Sequence, residues 1–150
     1  MTDRSRRILL VIALLAVAGV GVSSVSLAHH YAKSKTSYCD FGETFNCDMV
    51  NRSVYSVVMG VPVALIGVVG YLALLAMATV YRSKAETPAM LLIGALAGLA
   101  FALYLTYVEA LVLAVWCILC LSSFTLIFAI ALLSTILFFY SRRSASKFSS

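Results

Sequence analysis

Residues 8–28 read ILLVIALLAVAGVGVSSVSLA, an apolar run without a single charge. A helix needs about 20 such residues to cross the hydrocarbon core of a bilayer, so this run is long enough to span. Ser26-Leu27-Ala28 at its end resembles a small-residue cleavage site, which makes a signal peptide the rival reading. The apolar core of a signal peptide is usually about 7–15 residues, and this run exceeds that, so it is read as a span that stays. On either reading, His29 onward emerges on the outer side. The whole chain of 150 residues is 63% hydrophobic and only 11% charged, which excludes an ordinary soluble domain. Its net charge of +5 does not point to nucleic acid. The basic residues sit at the ends of apolar runs, where they act as topology signals.

Working outward, Met1 to Arg7 is polar and carries Arg4, Arg6 and Arg7. Beyond the first run, His29 to about Val58 is polar, with Tyr31, Tyr38 and Tyr55 as interfacial anchors, and is expected to be a loop with some helix. A second span is expected from about Met59 to Tyr81, opened by Gly60-Val61-Pro62, since proline costs little in a first helical turn. Arg82 to Pro88 is a charged turn. A third span runs from Ala89 to about Tyr107, where Gly94-x-x-x-Gly98 would allow close packing, and a fourth from Cys117 to about Tyr140. The expected fold is therefore an all-α integral membrane protein, a four-transmembrane-helix bundle with an outer loop between helices 1 and 2. Residues 1–7 precede a membrane domain over 8–140, with the outer loop at about 29–58, and 141–150 form a loose polar tail.

Arg4, Arg6, Arg7, Arg82, Lys84, Arg142, Arg143 and Lys147 fall on one side of this arrangement; Lys33, Lys35 and Arg52 fall on the other. The positive-inside rule then makes both termini cytoplasmic, in a multi-pass protein of the inner or plasma membrane. All four cysteines lie at the outer face, where disulfide chemistry is permitted.

Trp116-Cys117-Ile118-Leu119-Cys120 carries a Cys-x-x-Cys pair in otherwise apolar surroundings. Two thiols at that spacing share a helix face and can pass between dithiol and disulfide. In lipid, such a pair needs an electron acceptor that is itself lipid-soluble. Cys39 and Cys47 sit in a loop that can swing, so the two pairs together read as a relay from a soluble dithiol to a lipid-phase acceptor.

Plainer readings exist for the same residues. Four cysteines can close a zinc site, although an outer-face location disfavours one, so no metal is expected. A static disulfide between Cys39 and Cys47 in a structural tetraspan protein would leave Cys117 and Cys120 unexplained. A small drug exporter would want an acidic residue deep in a span, and none is expected, because Glu109 is read as a solvated residue near an interface. His29 and His30 read as a membrane-edge flank. Asn51-Arg52-Ser53 fits a glycosylation sequon, a pattern short enough to arise by chance.

Cys39-Asp40, the segment from Cys47 to Ser56, Gly60-Val61-Pro62 and Cys117-Ile118-Leu119-Cys120 together resemble the vitamin K epoxide reductase family in its bacterial form. The resemblance implies that Cys117 and Cys120 are the active-site pair, with Cys120 nearest the quinone. It implies that Cys39 and Cys47 are the shuttle pair, Cys39 exchanging with the partner and Cys47 attacking the Cys117–Cys120 disulfide. Ser53 matches the loop serine associated with the active site, and Asn51 and Phe124 are further candidate quinone contacts. The implied activity is DsbB-like: disulfides made at the expense of a quinone such as ubiquinone or menaquinone. They would pass to a separate thioredoxin-fold, DsbA-like partner through Cys39, with membrane lipid and quinone as the other partners and no nucleic acid. Mammalian members carry a Thr-Tyr-Ala run after the active-site pair, where this chain has Ser123-Phe124-Thr125. The missing phenol favours plain quinone reduction over reduction of vitamin K epoxide.

Overall fold

The computed structural model describes residues 2–32 and 40–149. Cys39, Lys33 and Lys35 lie outside the described residues. Four long helices run antiparallel in chain order: α1 (Asp3–Tyr31), α3 (Val63–Thr79), α4 (Thr87–Tyr107) and α5 (Ile118–Phe148). Between α1 and α3 the chain makes a two-stranded ribbon of β1 (Asp40–Phe41) and β2 (Phe45–Asn46). It continues through the short helix α2 (Cys47–Asn51), a 3-10 turn at Val54–Ser56, and a hairpin of β3 (Val57–Val58) and β4 (Val61–Pro62). The protein is thus predominantly helical, as the apolar runs require, with small strands that the polar composition of the loop did not announce.

Asp3–Tyr31, Thr87–Leu113 and Ile118–Phe148 are long and apolar enough to cross a membrane, and Val63–Thr79 is a shorter apolar helix. At 1.5 Å per residue α3 is about 26 Å long, a little under the thickness of a hydrocarbon core. Its start is fixed by the hairpin before it. Met59 and Gly60, at the tip, both have positive φ (54° and 84°), the pattern of a two-residue turn whose twist matches the flanking strands. Pro62 follows as the N-cap of α3, one position before the first turn, with φ −59°.

Large exposed apolar side chains such as Leu14, Ile93, Leu103 and Phe139 cover the outside of the bundle. That is what a lipid-facing surface requires. The interior is a cluster that includes Leu9, Ile12, Ala16, Leu74, Leu91, Ile127 and Ile130, contributed by all four long helices. Small residues set the spacing. Gly94 and Gly98 do not share one partner: Gly94 faces Leu74 of α3, and Gly98 faces Ile127 of α5. Gly19 of α1 faces the ring of Tyr71, so closely that a Cβ there would come within 2.3–2.6 Å of ring carbons. Gly19→Ala is therefore expected to destabilise by about 1–3 kcal/mol through overpacking. Gly21, with open space around it, serves as control, gaining up to about 1 kcal/mol of helix propensity when changed to alanine. Unfolding of both variants in detergent measures the difference.

The expected loose tail is instead helical. Helix α5 continues through Phe148, with the Arg142 guanidinium 5.4 Å from the Phe138 ring centre and Lys147 in its last turn. Extending an existing helix avoids the cost of nucleation, and a cation near the C-terminus suits the helix dipole.

Candidate active site

The site forms where the C-terminal end of α1, the α2 loop and the start of α5 meet. Helix α2 has only five residues and is held by side chains around it. Its N-cap, Asn46, accepts the Met49 N–H at 2.9 Å. From α1, Ser26 Oγ donates to Asn51 Oδ1 at 2.7 Å, and His30 Nδ1–H donates to the Asn51 carbonyl at 2.6 Å. His29 Nδ1 lies 3.7 Å from Asp48 Oδ1, and the Arg52 guanidinium donates to the Ala32 carbonyl. His29 and His30 are thus clamps on the loop, with His29 buried, and not merely a membrane-edge flank. Asn51 is also buried, with its Oδ1 engaged by Ser26.

The other clamp comes from the segment before α5. Trp116 N–H donates to the Thr44 carbonyl at 2.8 Å, and Asn46 N–H donates to the Trp116 carbonyl at 3.1 Å. This bridge pairs Phe45 with Trp116 in parallel. The residues that follow each bridging segment are Cys47 and Cys117, and both are completely buried (0% exposed) in one cluster with Val50 and Val115. A single backbone register therefore brings the loop cysteine to the membrane cysteine. Cys47 is disulfide-bonded, whereas Cys117 and Cys120 are free thiols.

Cys117 is the N-cap of α5, and Cys120 lies in its first turn. Cys120, but not Cys117, lines a cavity of about 390 Å³ between the helices. Asn51 and Ser53 line the same cavity, and Ser53 Oγ donates to the Val50 carbonyl at 2.8 Å. The α5 face of the cavity is Leu119, Cys120, Ser123 and Ile127, one stripe at helical spacing. Phe124, expected as a quinone contact, is turned off that stripe. It does not line the cavity and stacks on Phe128 instead, with ring centres 6.3 Å apart.

Two residues here were not expected at the site. Tyr71 of α3 lines the cavity, and its hydroxyl is 2.9 Å from both the carbonyl and Oγ of Ser123. A phenol is therefore present at the turn after Cys120, although α5 does not supply it. Glu109, read as solvated, is 1% exposed. It lies in a π-helical turn (Val108–Leu113) that continues α4 and closes at Ala114, an alanine in left-handed conformation (φ 51°). Glu109 Oε2 accepts the Cys117 N–H at 3.1 Å, and Glu109 lines the cavity together with Cys120. The signal for it was a lone acid in an apolar stretch eight residues before Cys117.

The sequence matches the vitamin K epoxide reductase family over residues 10–135, which takes in every element from the first span to most of α5. The chain belongs to that family. No curated protein matches it in a sequence comparison. Vitamin K epoxide reductase family members are membrane oxidoreductases that work between thiols and quinone or vitamin K substrates, which makes this chain a membrane oxidoreductase of that general kind. The cavity fits such a substrate: its walls are mostly apolar, and two buried polar atoms at it, Asn51 Nδ2 and Glu109 Oε1, have no hydrogen-bond partner among the described residues.

Proposed function

We propose that this chain is a DsbB-like thiol:quinone oxidoreductase that generates disulfides and passes them to a thioredoxin-fold, DsbA-like partner outside the cytoplasm. The observation that carries this reading is the division of the cysteines: Cys117 is buried against Cys47, while Cys120 faces the cavity. Electrons then have one path, from the loop to Cys117, to Cys120, and out to a quinone in the cavity. Cys39 takes electrons from the partner dithiol and Cys47 hands them on by attacking the Cys117–Cys120 disulfide, each exchange passing through a mixed disulfide. Ser53 and Asn51 hold the loop side of the cavity, and Asn51 Nδ2 is placed to donate to a quinone carbonyl. Flow in this direction needs a quinone more oxidising than the partner, which for a DsbA-like protein lies near about −120 mV.

In this reading α3 is the fourth span, both termini are cytoplasmic, and the cysteines face outward in an inner or plasma membrane. The excess of basic residues at the Arg4, Arg82 and Arg142 end of the bundle supports that orientation. Reduction of vitamin K epoxide is the second reading, favoured by the Tyr71 phenol at Ser123.

The test is a thiol count on fully reduced protein in detergent, before and after anaerobic addition of a soluble quinone, with quinol followed by absorbance. Two thiols lost per quinol formed is the expected result. Thiols that stay free sink the proposal. The same assay with vitamin K epoxide in place of the quinone decides the second reading.

A further inference from the structure

We infer that Glu109 is the proton carrier between the active-site thiols and the quinone. The inference rests on the reading of the cavity as a quinone site and adds the group that completes its chemistry. Oxidising a dithiol releases two protons, and reducing a quinone to quinol consumes two. In a site buried among apolar side chains those protons need a base within reach. Of the other titratable side chains lining the cavity besides the thiol, His30 holds the Asn51 carbonyl, Tyr71 is bonded to Ser123, and Tyr55 is an exposed phenol. Glu109 has Oε2 on the Cys117 amide and Oε1 without a partner among the described residues, and it lines the cavity together with Cys120.

A structural role does not account for this residue. A fully buried carboxyl group is costly to keep, and Glu109 makes no ion pair among the described residues that would offset the cost. The one hydrogen bond of its carboxyl group among the described residues, from the Cys117 N–H, would be made equally well by a neutral glutamine. The π turn also aims Glu109 at the cysteines by means of an alanine in a conformation that L-residues seldom adopt. An acid that costs burial and backbone strain, and that a neutral residue could replace structurally, is kept for what its proton does.

The step balances as follows. The Cys120 S–H bond breaks and its proton moves to the Glu109 carboxylate, which releases it to a quinone oxygen. The Cys117 S–H bond then breaks, its proton takes the same route to the second quinone oxygen, and an S–S bond forms between the two cysteines. Two electrons and two protons leave the thiols for the quinone. Glu109 returns to its starting state.

The test compares reduced wild type and Glu109→Gln in detergent, mixed anaerobically with a short-tailed ubiquinone. Glutamine keeps the shape and the acceptor for the Cys117 amide but carries no proton, and the rate of quinol formation should fall by about 10²–10⁴-fold. Quenching of Trp116, the one tryptophan, should report unchanged quinone affinity, and the melting temperature should not move. A readout without quinone accompanies these: in a Cys117→Ala background, the infrared S–H stretch of Cys120 should shift to higher frequency on Glu109→Gln. An unchanged rate, an unmoved S–H stretch, or a rate that falls only in step with affinity or melting temperature overturns the inference. Failure of wild type itself to form quinol overturns the quinone reading instead.

Discussion

Replacing Cys120 with alanine should abolish quinone reduction while leaving mixed-disulfide formation at Cys39 intact. The reasons lie in the placement of the two free thiols. Cys120 is the cysteine that lines the cavity among the described residues, and Cys117 is sealed against Cys47 and Val115. The remaining thiol, Cys117, also loses the neighbour with which it must close a disulfide. A missing nucleophile in a two-thiol reaction is not a graded defect, and quinol formation should drop to the uncatalysed rate. Exchange with a partner dithiol depends on the loop, which α1 holds through Ser26, His29 and His30 without any help from Cys120. The measurement is paired: quinol absorbance under anaerobic single-turnover conditions, and trapping of the partner as a mixed disulfide on the same preparation. Normal quinol formation by Cys120→Ala would mean that the assignment of roles within the Cys-x-x-Cys pair is wrong.

The helices were legible in the sequence because a bilayer demands long apolar runs, and these cannot be mistaken for loop. What was not legible depended on contacts between distant segments. The Phe45–Trp116 bridge joins residues far apart in the chain over a single pair, and nothing in the composition of residues 44–46 or 115–117 marks it. The Cys-x-x-Cys spacing put two thiols within one helical turn, but which sulfur faces the cavity follows from how α5 is rotated against α1, α3 and α4. The same rotation separates Ser123 from Phe124: neighbours in sequence, they lie about 100° apart around the helix, and only Ser123 reaches the cavity. Glu109 was misjudged because the third span was ended at Tyr107, the last interfacial aromatic. The helix instead widens into a π turn and carries the acid inward. Residues 141–148 looked like tail because they are polar; helicity there is inherited from the apolar helix before them.

Replacing Cys47 with alanine should divide the reaction at the point where loop meets membrane helix. Cys117, Cys120, Asn51, Ser53 and Glu109 all remain, so pre-reduced Cys47→Ala protein should still form one quinol per chain when mixed with a soluble quinone. Continuous turnover with a reduced thioredoxin-fold partner should then fail. Cys47 is brought to Cys117 by the bonds between Asn46, Trp116 and Thr44, and this turns thiol exchange into a step within one molecule. Intramolecular delivery of well-oriented groups is worth effective concentrations of about 10⁵ M or more, far above any soluble dithiol, so steady-state turnover should fall by at least about three orders of magnitude. Burial argues the same way, since Cys117 is closed off and a bulky partner cannot reach it in place of the loop. A burst of one quinol followed by a flat trace is the expected record. Sustained turnover in Cys47→Ala would mean that the partner reduces the Cys117–Cys120 pair directly, and that the register between β2 and Trp116 serves to hold the loop and not to carry electrons.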